Sequence, residues 1–161
     1  MTLPLSAVAQ DVTEPALKAA FIYNFVRFTE WPDVLAASAP FVICVPGDAA
    51  VGDELERTVK GRELAGHRIV VSQSPAADQK RECHALYLSG VRANQAAQLI
   101  SGLRDIPVLT ISDIDGFTAV GGIVQFFFER GRLRFGIRIE SAQQARLKIS
   151  SKLLVLAKRY E

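Results

Sequence analysis

The chain has 161 residues, of which 49% are hydrophobic and 22% are charged. This composition is typical of one globular domain with a sizeable core, and it excludes an intrinsically disordered protein. The net charge is only +2 and the basic residues are scattered along the chain, which argues against nucleic-acid binding. Because no run of about 18 apolar residues occurs, we expect no membrane-spanning helix.

Residues 1–9 differ in character from the rest of the chain. They end in Ala7-Val8-Ala9, the small-x-small pattern after which signal peptidase cuts. The segment lacks a basic n-region and a full apolar h-region, so it is interpreted either as the remnant of an export signal behind an added Met or as an ordinary flexible N-terminus. We prefer the export interpretation, which predicts a single domain over residues 10–161.

The first predicted helix begins after Thr13, which is a good N-cap residue, and ends at Trp31-Pro32, because proline cannot continue a helix. One face of this helix is apolar at spacings of four, four and three, at Leu17, Phe21, Phe25 and Phe28. Ile22 and Val26 form a second apolar stripe. The helix is therefore either buried on two sides or packed against a partner chain.

The middle of the chain alternates β-runs with helices. The β-runs cover residues 41–45, 68–71, 85–88 and 108–111, and the helices cover residues 51–60 and 94–103. This alternation predicts right-handed crossovers and a mainly parallel sheet. The last β-runs, 123–128 and 133–139, are too close for a crossover helix and must form an antiparallel hairpin. Strict alternation in the second of them places Arg134 and Arg138 on one face.

The two cysteines are Cys44, inside the first β-run, and Cys83, just before the third. A disulfide between them is geometrically feasible if the two strands are neighbours. Such a bond would close a loop of about 40 residues and, in the chain-entropy model, would stabilise the fold by roughly 4 kcal/mol. The alternative is two separate buried thiols. Because the export remnant indicates an oxidising compartment, we prefer the disulfide.

Parallel sheets bind ligands in the loops after their strands, where this chain places Asp48, Asp113 and Asp115. These carboxylates are either a metal or phospho-acceptor cluster or, as we prefer, the chemistry of tight turns beside glycine. His84 directly follows Cys83, and adjacent strand residues point to opposite faces, so the two do not form a catalytic dyad. Since no phosphate-binding glycine spacing occurs either, we predict no cofactor and no enzymatic activity.

Ser150 and Ser151 open the last predicted helix. Free N–H groups at a helix N-terminus, with Lys148 close by, form a plausible anion pocket. The alternative is that serine acts only as an N-cap. Both roles are compatible.

Several segments together resemble the YfiR family over nearly the whole chain, from about residue 14 to residue 157. They are Phe21-Ile22-Tyr23-Asn24-Phe25 with Phe28 and Trp31-Pro32; Cys44-Val45 with Gly47-Asp48; Cys83; Leu109-Thr110-Ile111-Ser112-Asp113 with Gly116-Phe117; Gly121-Gly122; and Leu147-Lys148-Ile149-Ser150-Ser151 with Leu153-Leu154.

The resemblance implies a periplasmic, often dimeric protein with a Rossmann-like three-layer α/β domain. Such a protein binds the periplasmic part of an inner-membrane diguanylate cyclase of the YfiN type and restrains cyclic di-GMP synthesis. Redox stress or an outer-membrane lipoprotein would release it. The family's disulfide carries over to Cys44 and Cys83, whereas a second cysteine pair found in some relatives is absent here. Relatives also occur beside sensor kinases and TonB-dependent receptors, so the partner need not be a cyclase.

Two hypotheses about function follow. In the first, the protein docks on a signalling enzyme through Ile22, Val26, Trp31, Arg134 and Arg138. In the alternative, it is a periplasmic protein that binds a small ligand, a nucleotide or an amino acid. Its phosphate or carboxylate group would then be held by Arg27, Lys148, Ser150 and Ser151, with Arg138 as a further candidate.

Overall fold

The computed structural model describes residues 12–32, 38–74 and 82–159. The export remnant predicted at residues 1–9 lies outside these ranges. The helices are α1 Glu14–Arg27, α2 Ala49–Val59, α3 Ala93–Gly102, α4 Ile139–Gln144 and α5 Ser151–Leu154, with a 3-10 turn at Thr118–Val120. The strands are β1 Thr29–Glu30, β2 Phe41–Cys44, β3 Glu63–Leu64, β4 His67–Ser72, β5 Ala85–Leu88, β6 Leu109–Ser112, β7 Val124–Glu129, β8 Arg132–Ile137, β9 Lys148–Ile149 and β10 Lys158–Arg159.

The main sheet has eight strands in the order β10-β8-β7-β6-β5-β2-β4-β3. Its pairs are parallel from β4 through β2, β5 and β6 to β7, and again between β8 and β10. The pairs β3–β4 and β7–β8 are antiparallel. A separate two-stranded sheet joins β1 to β9. The predicted mixed α/β class with a mainly parallel sheet is therefore confirmed.

The buried apolar side chains form two clusters. The larger one contains the inner sides of α1 and α2 together with side chains from β2, β5, β6, β7 and β8. The smaller one contains Ala96 of α3, both cysteines, and the β5 residues Leu86 and Leu88. Alternate residues of β5 thus enter different clusters, as expected for a central strand that is covered on both faces.

Helix α1 begins as predicted, because Thr13 is its N-cap and the Thr13 hydroxyl accepts the Ala16 N–H at 3.2 Å. It ends earlier than predicted, at Arg27, with Phe28 as the C-cap. The chain leaves the helix there to form β1, which pairs with β9. Tertiary pairing, rather than the proline at position 32, thus sets the end of α1.

The predicted strand over residues 133–139 is also shorter in the structure. Strand β8 ends at Ile137, and Arg138 is the N-cap position of α4. Arg138 therefore does not share a strand face with Arg134, which corrects the expectation that the two arginines form one surface.

Candidate functional site

The predicted disulfide between Cys44 and Cys83 is present, with the two Cα atoms 5.9 Å apart. Cys44 ends β2, and Cys83 precedes β5 by two residues in the chain. These two strands are parallel neighbours in the sheet. Both cysteines are buried within the smaller apolar cluster. A buried disulfide of this kind is typical of proteins that work in an oxidising compartment.

Trp31 and His84 lie beside the disulfide. The Trp31 indole N–H donates to the His84 carbonyl at 3.0 Å, and the Trp31 ring packs edge-on against Phe41, with ring centroids 4.8 Å apart. The His84 ring stacks on the Phe41 ring, with centroids 4.9 Å apart, and the His84 Nδ1 accepts the Val42 N–H at 3.0 Å. Trp31 was expected on a docking surface, but its half-buried ring serves mainly to fix the segment after β1 to the core.

Ile22 and Val26 were also predicted to be docking residues, and the structure contradicts this. Both side chains are 0% exposed, because α1 packs against α2 as well as against the sheet. The second apolar stripe therefore marks burial on two sides and is unavailable to a partner of the folded monomer.

The aspartates after the parallel strands have different hydrogen-bond partners. Asp48 is the N-cap of α2 and accepts the Val51 N–H at 3.1 Å, so its carboxylate caps a helix. Asp113 accepts hydrogen bonds from the Lys18 ammonium at 2.9 Å and from the Ser89 hydroxyl at 3.4 Å. Across residues 12–32, 38–74 and 82–159, no group of three or more His, Cys, Asp or Glu is placed to hold a metal ion.

Lys18 is a buried cation that links α1 to the carboxyl end of β6. Its ammonium contacts Glu14 at 2.8 Å and Asp113 at 2.9 Å. Burial alone disfavours its charge, but the hydrogen bonds to Glu14 and Asp113 outweigh burial and raise the pKa of Lys18 above its ordinary value. The charged pair is thus part of the fold and is satisfied internally.

Tyr87 in β5 lies near the same carboxyl end, and its hydroxyl is buried without a hydrogen-bond partner among the described residues. Burial raises the pKa of Tyr87, and the nearby carboxylates of Asp113 and Asp48 raise it further. Tyr87 is therefore a neutral phenol at any physiological pH. This group could not be predicted from the sequence, because Tyr87 stands in a run that is typical of an apolar buried strand.

A group of exposed cations on aromatic rings lies at the C-terminal end of α1. The Arg27 guanidinium lies 5.4 Å from the ring centroid of Tyr23 and 5.2 Å from that of Phe28. The Arg62 guanidinium lies 5.2 Å from Tyr23, and the Lys152 ammonium lies 5.8 Å from Phe28. We call these five residues the cation–aromatic surface. None of its three cations has a carboxylate partner within the described ranges.

The predicted anion pocket is adjacent to this surface. The Ser150 hydroxyl accepts the Lys152 N–H at 3.2 Å, which is the capping role, and the Ser150 N–H donates to the Phe28 carbonyl at 2.8 Å. The Ser150 backbone is thus hydrogen-bonded to Phe28, and the ring of Phe28 is contacted by the Arg27 and Lys152 cations. Lys148 and Ser151 are exposed. In the antiparallel pairing of β1 with β9, Lys148 is the register partner of Glu30. Ligand binding by these residues remains a prediction.

The two arginines predicted as docking residues, Arg134 in β8 and Arg138 at the N-cap of α4, differ in what they contact. Arg134 is exposed and lies 3.4 Å from Glu129 on the neighbouring strand. Arg138 donates to the Thr118 carbonyl at 2.8 Å and lies 3.7 Å from Glu140. Arg138 therefore fixes the 3-10 turn against α4, whereas Arg134 remains accessible.

Within the part of the chain that the structure describes, no helix is long and apolar enough to cross a bilayer. The fold and the site together define an α/β protein with an internal disulfide and an exposed cation–aromatic surface, in which Arg62 also donates to the Thr58 carbonyl at 3.0 Å and to the Tyr23 hydroxyl at 3.4 Å. The family model described as YfiR/HmsC-like matches residues 15–158, which is most of the chain. The protein belongs to this family, and the resemblance found in the sequence is confirmed.

Proposed function

We propose that this protein is a periplasmic, non-enzymatic regulator of cyclic di-GMP signalling that docks on the periplasmic part of an inner-membrane diguanylate cyclase and inhibits it. Membership of the YfiR/HmsC-like family over residues 15–158 is the observation that carries this proposal. The buried disulfide supports the oxidising compartment, because disulfides are rare in the cytosol.

Inhibition by docking requires a difference in affinity. The protein must bind the inactive arrangement of the cyclase more tightly than the active one, since a ligand that binds both equally shifts no equilibrium. The rigid sheet and the two helices packed on its larger cluster provide a fixed frame for such binding, and they keep the cost of ordering the interface low.

The cation–aromatic surface is the docking surface that the contacts favour. Arginine and tyrosine are enriched among residues that dominate interface energies. Arg27, Arg62 and Lys152 are already held against rings, so they lose little freedom on binding, and within residues 12–32, 38–74 and 82–159 none of them forms a salt bridge that would have to break. An acidic segment of the cyclase is the complementary partner. Arg134, which was also predicted to bind the partner, is a weaker candidate for this docking surface because it already contacts Glu129.

A capture experiment tests the proposal. Immobilised protein is incubated with detergent extracts of native membranes, and captured diguanylate cyclases are identified by mass spectrometry. Cyclic di-GMP output is then measured with and without added protein. We expect capture of a cyclase and lower output, and we expect Arg27→Glu to lose both effects.

Arg57→Glu is the matched control, because Arg57 is an exposed arginine already paired with Glu54 at 2.7 Å. It should capture and inhibit like the unaltered protein. Loss of capture in both variants would indicate a general charge effect and would argue against a specific surface. Failure of the unaltered protein to capture or inhibit any cyclase would contradict the proposed function itself.

The proposal extends to the assembly and the architecture implied by the family. We propose that residues 10–161 form one Rossmann-like three-layer domain with a C-terminal hairpin, that the domain forms a homodimer, and that an outer-membrane lipoprotein competes with the cyclase for it. Light scattering of the purified protein tests the dimer, and displacement of captured cyclase by the lipoprotein tests the competition.

A second function is favoured by one observation. The Ser150 N–H donates to the Phe28 carbonyl, and the Arg27 guanidinium lies over the Phe28 ring, so Ser150 and Arg27 are held near the same residue. In this alternative, Arg27, Lys148, Ser150 and Ser151 hold the phosphate or carboxylate of a nucleotide or an amino acid. A saturable thermal shift with such a ligand, abolished by Lys148→Ala, would support it. Flat melting temperatures across a panel of nucleotides and amino acids would rule it out.

A further inference from the structure

The hairpin of β7 and β8 extends beyond the strands on either side of it. On its outer side, β10 pairs with β8 only at Gly136 and Ile137. On its inner side, β6 pairs only with the first two residues of β7. Within residues 12–32, 38–74 and 82–159, the outer side of β8 over residues 132–135 therefore has no strand partner. We call these four residues the β8 edge.

The backbone groups of Leu133 point toward this side. The two-residue turn Arg130-Gly131 joins the strands, and both of its residues have positive φ, 53° and 77°. In such a hairpin the residues that flank the turn exchange hydrogen bonds, and alternate residues of each strand point outward. The Arg138 N–H donates to the Ile123 carbonyl at 2.8 Å, so the even-numbered residues from 132 to 138 face β7. Leu133 thus directs its N–H and its carbonyl away from the hairpin, where an added strand could pair with them.

One face of the β8 edge is cationic. Arg132 and Arg134 are exposed and lie two residues apart, so they share a face. Lys158 lies on that face too, because its ammonium is 5.8 Å from the ring centroid of Phe127, the register partner of Arg134. Arg134 contacts Glu129 at 3.4 Å, whereas Arg132 and Lys158 form no salt bridge within the described ranges. An acidic partner is the electrostatic complement of this face.

The other face of the β8 edge is apolar. Leu133 and Phe135 belong to the larger buried cluster, and Phe128, the register partner of Leu133, is exposed. Val155 and Leu156, which lead into β10, are exposed as well. Exposed apolar side chains that flank an unpaired strand favour a partner with apolar side chains of its own.

We propose that the β8 edge binds an extended segment of another protein in which acidic residues alternate with apolar ones. The segment adds a strand to the main sheet, its backbone pairs with Leu133, and its carboxylates face Arg132 and Arg134. A second copy of this chain fits less well, because antiparallel pairing of β8 with itself places arginine opposite arginine. None of the residues of the cation–aromatic surface lies on this edge, so the inference goes beyond the docking surface proposed for the cyclase.

Titration of the purified full chain with a short, end-capped peptide that alternates glutamate with valine tests the proposal, and amide hydrogen exchange by NMR measures it. At saturating peptide, we expect exchange of the Leu133 N–H to slow by about tenfold or more. The amides of Arg132 and Arg134, which already face β7, should change least. One control peptide carries lysine in place of glutamate, and another keeps the glutamates but has alternate amides N-methylated, which prevents ladder formation. Both should leave the exchange of Leu133 unchanged.

Arg132→Gln together with Arg134→Gln should weaken binding of the glutamate peptide by about three- to tenfold, because two exposed charges are lost. Glutamine creates no repulsion with Glu129, so the hairpin should stay folded. Arg57→Gln together with Arg68→Gln is the matched control. It removes the same charge from exposed positions elsewhere and should bind normally.

Three results would overturn the proposal. The first is equal binding of either control peptide, which needs no variant and decides even if the double variant does not fold. The second is unchanged affinity of the glutamate peptide in the folded Arg132→Gln, Arg134→Gln variant. The third is protection of the Leu133 amide without peptide. Protection that rises with protein concentration would assign the edge to a second copy, and protection in dilute protein would show that the same chain covers it.

Discussion

The two faces of the main sheet are stabilised in different ways. On the face that carries α1 and α2, Phe21 and Phe25 meet Phe126 and Phe135 in a network of mostly edge-to-face rings, with centroids 4.9 to 6.4 Å apart. On the face that carries α3, Ala96 is the buried residue of that helix, and the cluster is small. That smaller cluster contains the disulfide. The disulfide thus adds a covalent link on the α3 face, which has the smaller apolar cluster.

The two faces of the sheet should differ in how well they tolerate amino-acid substitutions. Removing a ring from the larger cluster leaves a cavity that rigid strands and helices cannot close. In the smaller cluster, the disulfide adds the restriction that it places on the unfolded chain to the burial of side chains such as Phe117.

The largest effect is expected from Phe25→Ala. Phe25 is 1% exposed and contacts two other rings, so the free energy of unfolding should fall by about 3–5 kcal/mol. Urea unfolding monitored by circular dichroism measures it. Phe128→Ala is the control, because Phe128 is 48% exposed, and it should cost less than about 1 kcal/mol. Equal losses in the two variants would show that the ring network is not the main source of stability on this face.

The second largest effect is expected from the double variant Cys44→Ala with Cys83→Ala. Loss of the disulfide should lower the free energy of unfolding by about 2–4 kcal/mol, because the unfolded chain regains the freedom of the loop between the cysteines. The same urea experiment measures it. Reductant should destabilise the unaltered protein by a similar amount and leave the double variant unchanged. If complete reduction leaves the unaltered protein equally stable, the smaller face is held by packing alone.

The central strands that carry both faces could be predicted from the sequence. The β-runs at 41–45, 85–88 and 108–111 correspond to β2, β5 and β6 within a residue or so, because short apolar runs bounded by glycine, aspartate and proline mark buried strands. The positions of the two cysteines beside such runs only allowed a disulfide, and the export remnant and the family resemblance favoured it over two separate thiols. The two-residue strands β1, β3, β9 and β10 were not predicted, since pairs of this length have no periodicity of their own.

The surface residues were predicted less well, for a reason visible in α1. Ile22 and Val26 form a stripe that a sequence pattern cannot assign to a second helix or to a partner chain, and here α2 covers it. The cation–aromatic surface joins residues of α1, the segment after α2, and α5. These are far apart in sequence, and only the pairing of β1 with β9 brings Phe28 next to Ser150 and Lys152.

A smaller effect on the free energy of unfolding is expected from acid, through His84, which directly follows the disulfide cysteine Cys83. Burial lowers the pKa of His84 below its ordinary value of 6.5, and His67 lowers it further. Because the unfolded chain then takes up the proton more readily, stability is full above pH 6.5 and falls as the pH drops below that value. The slope from this one group is at most about 1.4 kcal/mol per pH unit.

Urea unfolding at about pH 7.5 and about pH 5.5 measures the acid effect. His84→Asn should lose most of the pH dependence in this range, although it is less stable at neutral pH because the stack on Phe41 is lost. His67→Asn should keep most of it, since burial is the main cause of the shift at His84. A pH dependence that is unchanged in His84→Asn would assign the effect to other groups.

The smallest effect is expected from Tyr87→Phe, on the larger face. The Tyr87 hydroxyl is buried without a partner among the described residues, so its removal loses no hydrogen bond and relieves the cost of taking that group out of water. The free energy of unfolding should therefore stay within about 1 kcal/mol of the unaltered value or rise. Thr110→Val on the adjacent strand is the matched comparison, because the Thr110 hydroxyl accepts a buried N–H from Ile123, and its loss should cost about 1–3 kcal/mol. If Tyr87→Phe costs as much as Thr110→Val, the phenol has a partner in solution, and the larger face depends on a polar contact as well as on its rings.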